Sequence, residues 1–322
     1  MKDYLNFEKP ILEIQERINQ LKDLSKAQPR RGLEAEKLQK KMEEMQKDIF
    51  SKLTPWQVTQ LARHPERPNT ADYIRMVFEE FTELHGDRLY GDDKSILCGL
   101  ARLEGRSVIV IGHQKGKGMK ERIATNFGMP HPEGYRKALR IMQLAEKFNK
   151  PIITFVDTPG AYPGVQAEER GQSEAIAKNL MRMSQLPVPI LSVVIGEGGS
   201  GGALAISVAD QILMLEYSVY SVISPEGCAA ILWNDTAKIS EAAEMLKMTS
   251  KDLLQMGIIE KILPEPPGGA HRDPERMAET VSRALCKQLS DLESIPSEER
   301  VQLRYKKLRN IGAYSEEKDP PK

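Results

Sequence analysis

The chain has 322 residues, of which 40% are hydrophobic and 29% charged, with 46 Lys plus Arg against 46 Asp plus Glu. That length allows one large domain or two ordinary ones, and the composition excludes a disordered, collagen-like or repeat-biased chain. A neutral balance lacks the broad basic field that draws proteins onto nucleic acid or anionic membranes, so neither is an expected partner.

The longest uncharged stretches, Gln185 to Gly196 and Gly198 to Ala209, fall short of the roughly 20 residues a spanning helix needs. Met1 to Lys9 carries mixed charge and leads into no apolar run, so no secretory signal is expected. Cys98, Cys228 and Cys286 lie far apart with no C-x-x-C pair, which excludes a disulfide scaffold or a self-contained zinc site and points to a reducing cytoplasm.

In chain order, Ile11, Ile14, Ile18 and Leu21, then Leu38, Met42, Met45 and Ile49, recur at helical spacing. Gln28-Pro29-Arg30-Arg31-Gly32 between them predicts a turn, and so a helical hairpin over residues 1–54 whose narrow stripe needs another surface. A helix is expected over Ala71–Leu84, then strands Ile96–Leu103 and Ser107–Ile111 joined by Glu104-Gly105-Arg106. Residues 115–123, with Lys115, Lys117, Lys120 and Arg122, read as a mobile basic loop before a helix over Pro132–Phe148. Continuous apolar runs at Pro151–Val156 and Val188–Ile195, with a helix at Ala167–Met183 between them, predict a buried parallel β-α-β unit. A second crossover runs through a glycine loop at 196–202 and a helix at 203–209 into the strand Gln211–Leu215. Ser224 caps a helix begun by Pro225, and helices at about 273–290 and 297–310 close the chain before a frayed end at Ser315–Lys322. The main domain is thus placed at 55–295, with a C-terminal helix and tail at 296–322.

Gly196-Glu197-Gly198-Gly199-Ser200-Gly201-Gly202 carries five glycines in seven positions at a strand-to-helix turn. Three chemical readings fit. Gly196, Gly198 and Gly201 satisfy a G-x-G-x-x-G dinucleotide fingerprint with Glu216 downstream, although earlier strands and a crossover precede it. Gly198, Ser200 and Gly202 satisfy a G-x-S-x-G elbow with Asp210, Asp235 or Asp252 and then His271 following in hydrolase order, although His271 reads as a solvated loop residue. The third reading makes the Gly201 and Gly202 amides an oxyanion hole needing no side-chain nucleophile, with Ser200 capping the next helix. A turn whose glycines serve only tight packing is the unreactive alternative. Lys117 is followed by Gly118, so the basic loop lacks a P-loop ending and ATP is not expected here. His64, His85, His113 and His131 read as structural or surface groups.

The second loop, Asp157-Thr158-Pro159-Gly160-Ala161-Tyr162-Pro163-Gly164, leaves a neighbouring strand on the same side, so both loops can line one pocket. Taken alone, Asp157 is a turn residue bonding backbone amides.

The segments D-T-P-G-A-Y-P-G-x-x-A-E-E-R-G-Q-S-E-A-I-A at 157–177, I-G-E-G-G-S-G-G-A-L-A at 195–205 and Tyr220-Ser221-Val222-Ile223-Ser224-Pro225-Glu226-Gly227 occur in order. With Ala62-Arg63-His64-Pro65, Ile111-Gly112-His113-Gln114-Lys115-Gly116 and Asn126-Phe127-Gly128-Met129-Pro130, they resemble the α subunits of bacterial acetyl-CoA carboxylase carboxyltransferases over about residues 5–310. That resemblance implies an α/β crotonase-like (ClpP/crotonase) fold of repeated β-β-α units, with an N-terminal helical extension and C-terminal helices. It implies a cytoplasmic α2β2 enzyme whose zinc-containing β subunit shares the active site, fed by a biotin carboxyl carrier protein and a separate, ATP-using biotin carboxylase. The reaction implied is transfer from carboxybiotin to acetyl-CoA, giving malonyl-CoA for fatty acid biosynthesis. Gly201 and Gly202 amides would hold the ureido oxygen. Asp157, Thr158, Pro159, Gly160, Ala161, Tyr162, Pro163 and Gly164, with Gly198, Gly199 and Ser200, would shape the substrate pocket, and no metal would be bound by this chain. The basic loop could reach CoA phosphates or the carrier. A scaffold that keeps the fold without chemistry of its own is the alternative from another class.

Overall fold

The structure, a computed structural model, describes residues 5–25 and 30–312. The two N-terminal stripes form α1 (Lys9–Ser25) and α2 (Arg30–Ser51), packed along each other. Of the expected turn, Gln28 and Pro29 lie outside the described residues, as does the tail from Ser315. At the base of the hairpin Phe7, Ile11, Ile49 and Phe50 join Val58 and Leu61 of α3 (Pro55–Ala62) and Tyr217 in one apolar cluster. The extension therefore buries its stripe partly on its own chain. A capping box starts α3: Thr54 Oγ1 accepts from the Gln57 amide and Gln57 Oε1 from the Thr54 amide.

The expected helix over Ala71–Leu84 is shorter. It is α4 (Thr70–Val77), and Phe78 turns extended so that β1 (Glu79–Glu83) can pair antiparallel with β2 (Ile96–Leu103). Gly99 of β2 makes this possible, because a Cβ there would overlap the Phe81 ring and the Thr82 carbonyl. β2 and β3 (Arg106–His113) form the predicted hairpin, with Glu104 and Gly105 at φ 47° and 77°, as a two-residue primed turn requires. The segment read as a mobile basic loop instead folds into α5 (Gly118–Ala124), and α6 (Pro132–Lys147) follows.

Next come β4 (Ile152–Thr158), α7 (Val165–Glu169), α8 (Gln172–Gln185) and β5 (Ile190–Gly199). The single helix expected over 167–183 is broken at Gly171, whose φ of 80° no helix interior accommodates. α9 (Ser200–Leu204), β6 (Gln211–Leu215), β7 (Val219–Ser221), α10 (Pro225–Trp233), α11 (Ile239–Met245), α12 (Ser250–Gln255) and β8 (Lys261–Leu263) precede the long closing helices α13 (Pro274–Glu293) and α14 (Ser297–Arg309). Ser224 does cap α10, accepting from the Gly227 amide at 3.1 Å.

The sheet order is β1-β2-β3-β4-β5-β6-β8, parallel from β3 onward, with β7 paired to the far end of β5. Side chains alternate across it. Ile152 and Val156 face α6 and α8, where Ile141, Met142 and Met183 pack, while Ile153 and Phe155 face α4 and α13, where Tyr73, Val281 and Leu285 pack. The strands are apolar on both faces because helices cover both. The last helix is stitched in by charge: buried Arg304 donates to the carbonyls of Met183, Leu186 and Val188 and to both oxygens of Asp210.

Candidate active site

Both loops singled out in the sequence leave the carboxyl ends of adjacent parallel strands, and the structure brings them into contact. Gly202 backs onto Gly160 and Ala161 so closely that a Cβ would lie 2.5 Å from the Gly160 carbonyl carbon and the Ala161 nitrogen. β5 runs further than the apolar pattern suggested. Gly198 pairs with Thr158 on one side and Tyr220 on the other, so Gly196–Gly199 is strand and the helix begins at Ser200 instead of 203. Its neighbours leave no space for side chains: a Cβ at Gly196 would meet the Asp157 carboxylate, one at Gly198 the Tyr220 ring, and one at Gly199 the Pro159 carbonyl. Gly201 differs, since a Cβ there would touch only Ile176, at an ordinary 3.7 Å.

Gly201 and Gly202 occupy the first turn of α9, where amides have no intrahelical acceptor, and among the described residues no side-chain oxygen caps them. The expected cap by Ser200 is therefore absent. Ser200 is exposed and held at φ 53°, a left-handed backbone that serine adopts at a cost, as in a strained elbow. A groove of about 290 Å³ opens beside it, walled by Ser200, Gly201, Leu204, Tyr220, Ser221, Val222, Leu253 and Ile258. An elbow would need a histidine. His271, however, stacks on His64 with ring centroids 3.9 Å apart, and both its ring nitrogens are buried without a hydrogen-bond partner. It is not the solvated loop residue its sequence surroundings suggested, and burial beside His64 lowers its pKa to about 2.

The second loop is held from below. Thr158 Oγ1 accepts from the Gly160 amide at 3.0 Å and donates to the Gly160 carbonyl at 2.8 Å, closing a tight ring that leaves Pro159 exposed at its tip. Gln172 Nε2 donates to the carbonyls of Pro130 and Tyr162, and the Tyr162 ring stacks on His131 at 4.2 Å. Gly164 lies under the Tyr162 ring, while Ala161, Pro163 and Gly164 are at least partly exposed.

Asp157 does not face outward. Its carboxylate lies in a buried network that sequence reading missed: Lys115 Nζ is 2.8 Å from Asp157 Oδ1 and 3.3 Å from Glu197 Oε2, and Arg63 holds Glu197 at 2.6 Å and Glu226 at 2.5 Å. Burial disfavours the Lys115 ammonium, but Asp157 and Glu197 outweigh this and raise its pKa. Burial likewise opposes the Glu197 carboxylate, and Lys115 and Arg63 still bring its pKa below the usual value. Lys115 is thus committed to this network, while Lys117 is half-exposed and pairs with Asp72 at 2.7 Å. His113 completes the floor, fully buried, its Nδ1 accepting from the Asp157 amide and its pKa lowered to about 3 by burial. The signals were present: Glu197 is a charge inside a β run, and Arg63 and Arg67 are two cations in the short turn that follows α3.

The chain is similar to known proteins along nearly its whole length. Residues 4–312 match the family described as acetyl co-enzyme A carboxylase carboxyltransferase-like. Proteins named acetyl-coenzyme A carboxylase carboxyl transferase subunit alpha are 55% identical in Geobacter metallireducens over 97% of this chain and 98% of that protein, and 58% identical in Geobacter sulfurreducens over the same shares. In Vibrio cholerae the identity is 57%, over 96% and 98%. Among solved structures, transcarboxylase 12S aligns with a TM-score of 0.55 at 23% identity over 68% of this chain and 41% of that longer one. A Pseudomonas malonate decarboxylase hetero-tetramer aligns at 0.54 and 17% over 67% and 86%. These two likenesses establish the crotonase-like carboxyltransferase fold. The chain belongs to the acetyl-CoA carboxylase carboxyltransferase α-subunit family.

Proposed function

We propose that this chain is the α half of a carboxyltransferase that moves a carboxyl group from carboxybiotin to acetyl-CoA, forming malonyl-CoA in the first committed step of fatty acid biosynthesis. The observation that carries the site assignment is Gly201. It is the member of the glycine run whose missing side chain packing does not demand, and it lies on the wall of the groove. Bare backbone beside open space suits a ligand that must approach closely.

The surroundings fit a biotin ring. Its amide-like carbonyl needs donors, which the first turn of α9 offers, and its apolar body needs the walls given by Leu204, Tyr220 and Val222. When bound, carboxybiotin supplies the carboxyl group and the base for the acetyl methyl. The chain's own work is positional. Gly201 and Gly202 amides stabilise negative charge on the ureido oxygen, an effect worth about 3–4 kcal/mol per donor in such sites. The ring of Thr158 and Gly160 and the stacked Tyr162 hold the second loop against that turn, and proximity of the two substrates supplies much of the remaining acceleration.

In this reading a zinc-containing β subunit supplies most of the acetyl-CoA side in a cytoplasmic α2β2 assembly. A biotin carboxyl carrier protein delivers the donor, recharged by a separate, ATP-using biotin carboxylase. No helix among the described residues is long and apolar enough to cross a membrane. Residues 1–54, 55–295 and 296–322 act as hairpin, transferase domain and closing segment.

The test is malonyl-CoA-dependent carboxylation of free biotin, run with this chain, with a purified β subunit and with both. Activity only in the mixture is expected. Activity in this chain alone, or thioester hydrolysis that Ser200→Ala removes, would overturn the reading.

A further inference from the structure

Between the pairs Val156–Val194 and Thr158–Gly198, β4 contributes the single residue Asp157 while β5 contributes residues 195–197. β5 therefore bulges immediately before the glycine turn. A bulge strips backbone groups of their ladder partners, and each then needs another. Side chains take them here. Asp157 Oδ1 accepts from the Glu197 amide at 3.0 Å, and Arg67 Nε donates to the Ile195 carbonyl at 2.7 Å.

Both of these side chains are themselves held. Arg67 is gripped in two-pronged fashion by buried Glu265, at 2.9 and 2.5 Å, and Asp157 is neutralised by Lys115. Gly196 presses against the Asp157 carboxylate, where a Cβ would come within 2.5 Å of Oδ1. Three residues after Glu197 the chain enters α9, so a slack bulge would re-aim the amides that follow it.

We infer that Asp157 is a positioning residue: with Lys115 and Arg67 it clamps the β5 bulge, and so sets the aim of the Gly201 and Gly202 amides, without touching substrate. The inference rests on those amides being the oxyanion donors. It moves Asp157 from the pocket wall to the layer beneath it. Misplacement of reacting groups by about 1 Å can cost on the order of a hundredfold in rate, so the clamp has a large effect to exert.

Asp157→Ala removes the acceptor for the Glu197 amide, whereas Asp157→Asn keeps an Oδ1 there and removes the charge. In the assembled enzyme, Asp157→Ala is expected to lower kcat about 30–100-fold while KM for acetyl-CoA and for the biotin donor stays within about threefold. Asp157→Asn should recover most of that loss. Hydrogen exchange over 195–202, read on the full chain by itself, should accelerate at least about tenfold in Asp157→Ala and little in Asp157→Asn. A rise in KM at unchanged kcat would overturn the inference by placing Asp157 against substrate. Equal losses in Ala and Asn, or unchanged exchange in Ala, would overturn the clamp. Faster exchange with full activity would instead overturn the oxyanion reading, because the turn would have moved without consequence. Should Asp157→Ala fail to fold, Lys115→Met carries the same test: it leaves the amide acceptor but strips its cation, with kcat expected to fall about tenfold and KM to hold.

Discussion

A methyl group added at Gly201 and one added at Gly202 meet different surroundings, and that contrast separates catalysis from packing. At Gly202 it would press into the backbone of Gly160 and Ala161, which cannot give way as a flexible side chain would. Gly202→Ala is expected to destabilise by about 1–3 kcal/mol, as overpacking does, with activity lost alongside stability. Gly201→Ala meets only Ile176 and replaces a helical glycine, so its stability should hold or rise by up to about 1 kcal/mol. Transfer should nevertheless fall at least about tenfold, because the methyl group lies on the groove wall where the oxyanion must approach. Urea unfolding and the coupled assay on each variant check the pair; equal stability losses, or a fully active Gly201→Ala, would contradict the assignment. Ser200→Ala should lower transfer by no more than about threefold, since among the described residues His271, the histidine an elbow would use, is stacked on His64 instead of hydrogen-bonded to Ser200. The sequence showed a helix-start glycine turn at 201 and 202 because five glycines there are hard to miss. It could not show that four of them answer to packing, since the Tyr220 ring, the Pro159 carbonyl and the Asp157 carboxylate that exclude a Cβ come from other strands and loops.

Elements with strong local signals came through, and those defined by distant partners did not. The 96–113 hairpin, α6, α13 and α14 lie within a residue or a few of their expected bounds, and α10 starts at Pro225 as expected, because turn, cap and period agreed. β1 was hidden, since Val77, Phe78 and Phe81 continue a helical stripe and only pairing with β2 across Gly99 makes them a strand. The hairpin's docking was equally invisible, because its apolar face names no partner. In the structure Phe50 meets Phe7 edge-on at 5.9 Å and Tyr217 at 5.7 Å, and only 5% of it is exposed. Phe50→Ala should therefore cost about 3–5 kcal/mol where hairpin and domain unfold together. Limited proteolysis should show the 1–54 segment cut first, and a variant as resistant as the parent would show that the hairpin is held elsewhere.

Acid should loosen the whole molecule through its buried histidines before its carboxylates. His113 is fully buried and its pKa is lowered to about 3, against about 6.5 in an unfolded chain. Between those values the unfolded chain binds a proton that the folded one refuses, so stability rises with pH there. His113's contribution is complete above about pH 6.5 and is lost as pH falls, by about 1.4 kcal/mol between pH 7.5 and 5.5. His271, less deeply buried, works in the same direction, with its pKa lowered to about 2 by burial beside His64. Glu197 and Asp92, whose pKa values are lowered once Lys115, Arg63 and Lys137 outweigh burial, give stability that is present above about pH 4.3 and lost below it. Lys115 acts at the other end: its raised pKa gives stability that fades only as pH climbs past the ordinary lysine value of about 10.4. The expected profile is a plateau from about pH 7 to 8.5, a first decline below 6.5, a steeper one below 4.5, and an alkaline decline above about 8.5, where the unfolded Cys98 thiol ionises while burial holds the folded one protonated up to about 12. Urea midpoints measured at pH 7.5 and 5.5 test the first decline, and His113→Gln and His271→Gln should each remove a comparable part of it. A parent chain as stable at pH 5.5 as at 7.5 would mean that His113 is protonated within the fold, and the neutral floor beneath the Gly202 turn would have to be redrawn.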